Sequence, residues 1–371
     1  MTGGPLSAWF LAAIVPAAGA ASDGARAATA DDVPLEAALH AALEQEFERQ
    51  GLVGLAVAVV VGDEIEEFYL GQADREAGTP VGPSTMFRWA SISKPLVAVR
   101  AVQLSEAGGL DLDEDVRALV PEFPEKPWPV TARQLLGHLG GIVHYSNGEV
   151  VRTEREYTEP HPFKDTVVAL DRFKESPLVA QPGTRYSYST HGYMLLGAAV
   201  ARAGKAPLHE QVEGAIAAPL SMASLQPDYQ WVEIPGRARG YRRVAGVVVP
   251  SVDRDVSWKL AGGGFISTVG DLARFARGLM GEALLPRATL DRMWTPQRLA
   301  SGKRTSYGLG FGVASAAGER VLRHTGSQPK TRTLLSVRPD SRRAVVVMTN
   351  SEFGRVKAVA AVAWAVLDQR R

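Results

Sequence analysis

Ser91-Ile92-Ser93-Lys94-Pro95-Leu96-Val97 is the stretch from which the rest of this chain can be read. Residues three apart in a helical turn share a face, so the Lys94 side chain comes to lie beside the Ser91 hydroxyl. Serine becomes a nucleophile only when something takes its proton. A lysine can do so where burial or nearby positive charge lowers its pKa. Downstream, Leu96, Val97, Val99, Val102 and Leu104 continue at helical spacing, and Gly108-Gly109 ends the run as a C-terminal cap. The spacing predicts an amphipathic helix with Ser91 at its start, where free N–H groups and the positive end of the dipole favour a developing anion. The pattern alone leaves a second reading open, with Ser91 as an N-cap and Lys94 on a solvated face. Another Ser-x-x-Lys, Ser327-Gln328-Pro329-Lys330, has no helix behind it and is read as a chance match.

On the amino-terminal side of Ser91, Leu52 to Val61 is rich in Val, Ala and Leu, breaks at Gly62-Asp63 and resumes at Ile65, Phe68 and Tyr69. That is a hairpin. Near the other end, Leu334 to Val337 and Ala344 to Met348 flank Arg338-Pro339-Asp340-Ser341, a second hairpin, and an Ala- and Val-rich helix follows over about 355–367. Strands at both ends, with helical patterns and Pro/Gly-rich loops between, predict a mixed α/β (α+β) fold. Its antiparallel sheet is built from both chain ends and flanked by helices, with a mostly helical subdomain over about 95–260.

Leu35 to Phe47 is helical in spacing, so a single folded domain is expected over 34–371. The apolar run Ser7 to Val15 is too short to span a bilayer and is followed by Pro16 and small residues. It predicts a signal peptide at 1–20, cleaved after Ala20 or else after Ala27, with a linker at 21–33. A periplasmic or secreted protein, without stable membrane insertion once the signal is removed, is the corresponding expectation.

The 41 basic and 40 acidic residues nearly cancel, so no field gathers nucleic acid, and the expected partner is a small molecule or short peptide. Cysteine is absent, which excludes disulfides, a thiolate nucleophile and zinc–thiolate sites. His138, His144 and His161 lack metal-like spacing, so neither metal nor cofactor is expected. The acidic residues Asp31-Asp32 and Asp111 to Asp115 read as loop and helix-start residues.

Acyl transfer also needs a proton shuttle to the leaving group and donors for the oxyanion. Tyr186-Ser-Tyr188-Ser-Thr190 follows Pro182-Gly183 and precedes Tyr193-Met-Leu-Leu-Gly197, which places a tyrosine in a loop before a buried helix. His324-Thr325-Gly326 lies on a strand-like run before Leu334, where small residues border a sheet edge. Together with Met86-Phe87-Arg88, Leu135-Leu-Gly-His138-Leu-Gly-Gly141-Ile142, Ala261-Gly-Gly-Gly264, Ser267-Thr268, Asp271-Leu272 and Tyr307-Gly-Leu-Gly310, these residues resemble the serine β-lactamase and penicillin-binding-protein superfamily. The likeness is to its class C-like branch. Val120-Pro-Glu-Phe-Pro-Glu-Lys126 and Tyr188-Ser-Thr190 are similar to the mitochondrial serine β-lactamase-like proteins and their bacterial relatives.

The resemblance implies Ser91 as nucleophile, Lys94 as its base and Tyr188 as the second acid/base. It implies backbone N–H groups of Ser91 and Ser327 as oxyanion donors, with Thr325 and Gly326 on the strand that pairs with substrate. His324 stands where the lactamases carry a lysine. Thr190 stands where many relatives carry an asparagine, so the amide that would hold a substrate amide is missing. A literal Tyr145-Ser146-Asn147 is a rival site for the catalytic tyrosine, without the downstream helix. After Ser327, Pro329 is expected to limit strand pairing, and Lys330 and Arg332 are read as solvated. The chemistry so implied is hydrolysis of an ester or amide, of small-peptide or D-amino-acid type. A true β-lactamase or D,D-carboxypeptidase and a non-catalytic binding protein stand as alternatives.

Overall fold

Val and Ala fill Gly54–Val61 with no turn-former until Gly62, whose φ of 63° lets the chain reverse. This is β1, and β2 (Glu64–Asp74) returns beside it with Val57 opposite Phe68. The computed structural model describes residues 34–370, so the signal peptide expected at 1–20, the linker at 21–33 and Asp31-Asp32 lie outside the described residues.

A short β3 (Thr79–Pro80) edges the sheet beyond β2. The remaining strands of that sheet come from the far end of the chain: β9 (Gly312–Ala316), β10 (Glu319–Gln328), β11 (Thr331–Arg338) and β12 (Arg343–Thr349). Their spatial order is β3-β2-β1-β12-β11-β10-β9, all neighbours antiparallel, so the sheet is closed at its centre by β1 against β12. Both predicted hairpins form, and both chain ends build the sheet.

Alternation along the central strands feeds two layers. Leu55, Val57, Val59, Val345 and Val347 face α1 (Leu35–Gln50) and α9 (Val356–Gln369). Ala56, Ala58, Val60, Val346 and Met348 face the larger interior, where α2 (Ser93–Glu106) and α7 (Val269–Met280) pack. The spacing in α2 predicts one apolar face, yet its residues from Ser93 to Val99 are all buried. It is a central helix wrapped by other elements rather than an amphipathic one at the surface.

The middle of the chain is helical at α3 (Ala132–Leu136), α4 (Thr190–Ala203), α5 (Leu208–Val212), α6 (Leu260–Gly263) and α8 (Arg287–Met293). Between α3 and α4 it is held by short turns, a less helical middle than the sequence pattern implies. Two minor sheets complete it. One orders β4 (Phe87–Arg88), β8 (Phe265–Ser267) and β5 (Gln226–Pro227), and the other pairs β6 (Tyr241–Val244) with β7 (Val247–Pro250). Among the described residues no helix is long and apolar enough to cross a membrane.

Candidate active site

The chain reaches Ser91 through β4 and a sharp turn. Ala90 has φ of 49°, a left-handed conformation that costs a non-glycine residue about 1 kcal/mol and that the fold around it must hold. Ser91 sits in a 3-10 turn over Ala90–Ile92 that runs into α2. It caps nothing, and Lys94 is fully buried, so the reading of an N-cap beside a solvated lysine does not hold.

The Lys94 amine lies 3.1 Å from Ser91 Oγ, 3.1 Å from Thr190 Oγ1 and 2.7 Å from the carbonyl oxygen of Gly262. Burial, aided by the positive charge of Lys259, holds its pKa well below the ordinary lysine value. A neutral amine has two N–H groups and one lone pair. The Gly262 carbonyl can only accept, and Thr190 offers a second acceptor, so the lone pair is left facing the Ser91 hydroxyl, which donates to it. Thr190, expected on the substrate side, spends its hydroxyl on orienting Lys94 and is itself buried.

Gly262 is glycine for want of room: a Cβ there would stand 2.6 Å from Thr190 Cγ2. The Ala261-Gly-Gly-Gly264 stretch therefore brings a bare carbonyl to the amine.

Tyr188 hydrogen-bonds Ser91, and its ring centroid is 5.0 Å from the Lys94 nitrogen. Burial pushes its hydroxyl far above the usual tyrosine range, so it is protonated at neutral pH. Ser189 caps α4 by accepting from the N–H of Gly192, and it donates to the carbonyl of Val143. His138, bland in sequence, accepts the N–H of Ser189 at 3.2 Å and packs its ring 4.2 Å from that of Tyr188. It positions the tyrosine loop. The rival Tyr145 lies at the rim of the same cleft, about half exposed, with a hydrogen bond to Thr190.

The opposite wall is β10. A Cβ on Gly326 would meet Trp89 O at 2.4 Å and Thr333 Oγ1 at 2.0 Å, so only glycine lets the strand press against the turn that carries Ser91. Gln328 pairs with Thr331 across the two-residue turn Pro329-Lys330. Antiparallel alternation then directs the N–H of Ser327 away from β11, toward Ser91. Pro329 thus makes the hairpin turn where the sequence expectation had it limiting pairing.

Thr325 and Ser327 line a cleft of about 320 Å³ together with Ser91, Tyr188 and Thr190. His324 does not. Its side chain points to the buried side of the strand, where Nδ1 donates to the Thr325 carbonyl and Nε2 accepts from the Tyr307 hydroxyl at 2.9 Å. Burial and Lys94 depress its pKa to about 3, so it is neutral and braces the strand.

Lys330 and Arg332 are not solvated as expected. Lys330 is ion-paired to Asp253 at 2.6 Å, and Arg332 donates to the carbonyls of Gln328 and Thr331. Both brace the hairpin. Of the cleft residues, sequence reasoning passed over Lys259 and read His144 only as a histidine without metal-like spacing. His144 accepts the N–H of Thr190, and burial lowers its pKa to about 4. The only signal for Lys259 was its place just before Ala261-Gly-Gly-Gly264. A larger cavity of about 550 Å³ lies behind Leu260 and holds none of these groups.

Residues 39–369 match the protein family described as Beta-lactamase. The human mitochondrial serine beta-lactamase-like protein is 31% identical over 382 residues, spanning 78% of this chain and 69% of its own. The esterase EstB of Burkholderia gladioli is 29% identical over 329 residues, spanning 80% of this chain and 83% of its own. In fold, the octameric penicillin-binding protein homologue of Pyrococcus abyssi has a TM-score of 0.75 at 24% identity, over 89% of this chain and 77% of its own. The D-amino acid amidase of Ochrobactrum anthropi, crystallised with L-phenylalanine amide, has a TM-score of 0.74 at 24% identity, over 91% of this chain and 99% of its own.

Proposed function

The chain belongs to the beta-lactamase family, and from that premise we propose that it is a serine hydrolase working through an acyl-enzyme on Ser91. The observation that carries this reading is the buried Lys94 amine 3.1 Å from Ser91 Oγ, with its N–H groups already committed to Gly262 and Thr190.

Ser91 Oγ attacks the carbonyl carbon while its proton passes to Lys94. The carbonyl oxygen becomes an oxyanion between the N–H groups of Ser91 and Ser327, in a site whose dipoles are fixed before the reaction. Tyr188, protonated and bonded to Ser91, hands its proton to the leaving group and is reprotonated from Lys94. Water then attacks the acyl carbon and gives a proton to the same pair, which returns it to Ser91 Oγ as the ester bond breaks and the acyl group leaves as a carboxylic acid.

The substrate is an ester or amide of small-peptide or D-amino-acid type. Support comes from the esterase among its relatives and from two departures from the β-lactamase pattern. Thr190 supplies no amide to a substrate, and His324 supplies no charge. A fluorophosphonate probe and intact-mass analysis test the nucleophile, with the adduct expected on wild type and lost in Ser91→Ala. Turnover of a p-nitrophenyl ester, a D-amino acid amide and nitrocefin tests the substrate class. Nitrocefin as the best of the three would favour a true β-lactamase. Absence of any adduct or turnover would leave a binding protein on this fold.

A further inference from the structure

The walls of the Ser91 cleft differ in charge, and the difference falls on one residue. The residues that line the cleft include no carboxylate, and Lys259 is the one ammonium among them, Lys94 being fully buried behind. Lys259 precedes α6, on the side that delivers Gly262 to Lys94, and its nitrogen stands 5.8 Å from the Trp258 ring centroid. Among the described residues no carboxylate pairs with it and no hydrogen bond holds its ammonium. Other buried cations nearby are neutralised: Lys330 by Asp253, and Arg88 by Asp228. Burial brings the Lys259 pKa down to about 8, so the group still carries charge at pH 7. Leaving a half-buried ammonium unpaired is costly unless something joins it there.

The opposite wall cannot do this work. His324 on β10 is buried with both ring nitrogens engaged, and Thr325 and Ser327 are uncharged. We propose that Lys259 is the anion-binding group of this cleft, and that the preferred substrate is an ester or amide carrying a carboxylate close to its scissile carbonyl. The substrate's charge is thus held from the α6 side, while β10 holds its backbone. This inference rests on the hydrolase reading above and names its substrate class.

Two ester pairs test it. The first compares p-nitrophenyl hydrogen glutarate with p-nitrophenyl valerate, which puts the charge on the acyl side. The second compares 4-acetoxybenzoate with its methyl ester, which puts it on the leaving group. In at least one pair, wild type is expected to prefer the anion at least tenfold in kcat/KM. Lys259→Gln brings that preference within twofold, and Lys259→Arg keeps most of it. Because Lys259 also acts on Lys94, absolute rates change in the variant, but both members of a pair share that change and the ratio cancels it.

A ratio unmoved by Lys259→Gln, or no preference in either pair, overturns the proposal. If wild type hydrolyses none of the esters, the hydrolase reading fails separately. Calorimetric titration of Ser91→Ala with the glutarate monoester then decides the anion site. Binding weakened at least tenfold by adding Lys259→Gln upholds it, and equal binding removes it.

Discussion

Two stretches of this chain read Ser-x-x-Lys, and both border the same cleft, yet they are built for opposite ends. At Ser91–Lys94 a 3-10 turn entering α2 stacks residues three apart, so the amine turns inward onto the hydroxyl. At Ser327–Lys330 the same four-residue spacing runs down a strand and round a hairpin turn, and Lys330 has φ of 74°. The lysine is carried away from its serine to Asp253. One stretch contributes side chains to the chemistry, and the other contributes a backbone N–H and the walls around it. A spacing has no chemical meaning until the backbone conformation is known.

The sharpest break in that comparison is to remove the hydroxyls in turn. Ser91→Ala is expected to lower kcat for a p-nitrophenyl ester by about 10⁴-fold or more, whereas Ser327→Ala, which keeps its N–H, stays within about threefold of wild type. Equal losses in steady-state assays would mean that the Ser327 hydroxyl takes part.

Removing the Lys94 amine and the Ser327 donor comes next. Lys94→Gln should cost about 10²–10⁴-fold in kcat. Ser327→Pro deletes the donor itself and should cost about 10²–10³-fold, with circular dichroism checking that the sheet survives.

The pH profile separates the lysines without removing the catalytic one. Protonated Lys94 cannot accept a proton, so kcat/KM falls as pH drops through its depressed pKa, well under the ordinary 10.5. That acid limb should stay in place in Lys330→Gln. The smallest effect is on stability: Lys330→Gln breaks an ion pair whose Asp253 partner is partly exposed, so thermal unfolding should show a loss of about 1 kcal/mol or less.

Local pattern carried what local forces decide. Both hairpins, the terminal helices and the Ser91 turn follow from apolar periodicity and turn residues close in sequence. The candidate residues Ser91, Lys94 and Tyr188 meet where the motifs placed them. What sequence missed depends on neighbours far along the chain. Lys330 looked solvated because Asp253 lies in a distant loop, and Lys259 gave no signal beyond its place before the glycine run because its isolation is a property of the cleft. His324 was legible as a strand residue, but which face it took was not, since a one-residue change of register reverses inside and outside. The excess of predicted helix in the middle arose because short apolar runs suit a buried turn as well as a helical face.

At the centre of the sheet Leu55 lies opposite Thr349 and Val61 opposite Arg343. During synthesis, the hydrophobic strand that contains Leu55 leaves the ribosome long before its mate exists. It must wait, with an unsatisfied edge, until the chain has been made through β12. The central pairing of the sheet, and with it the wall that carries Ser327 opposite Ser91, therefore forms only after β12 has left the ribosome.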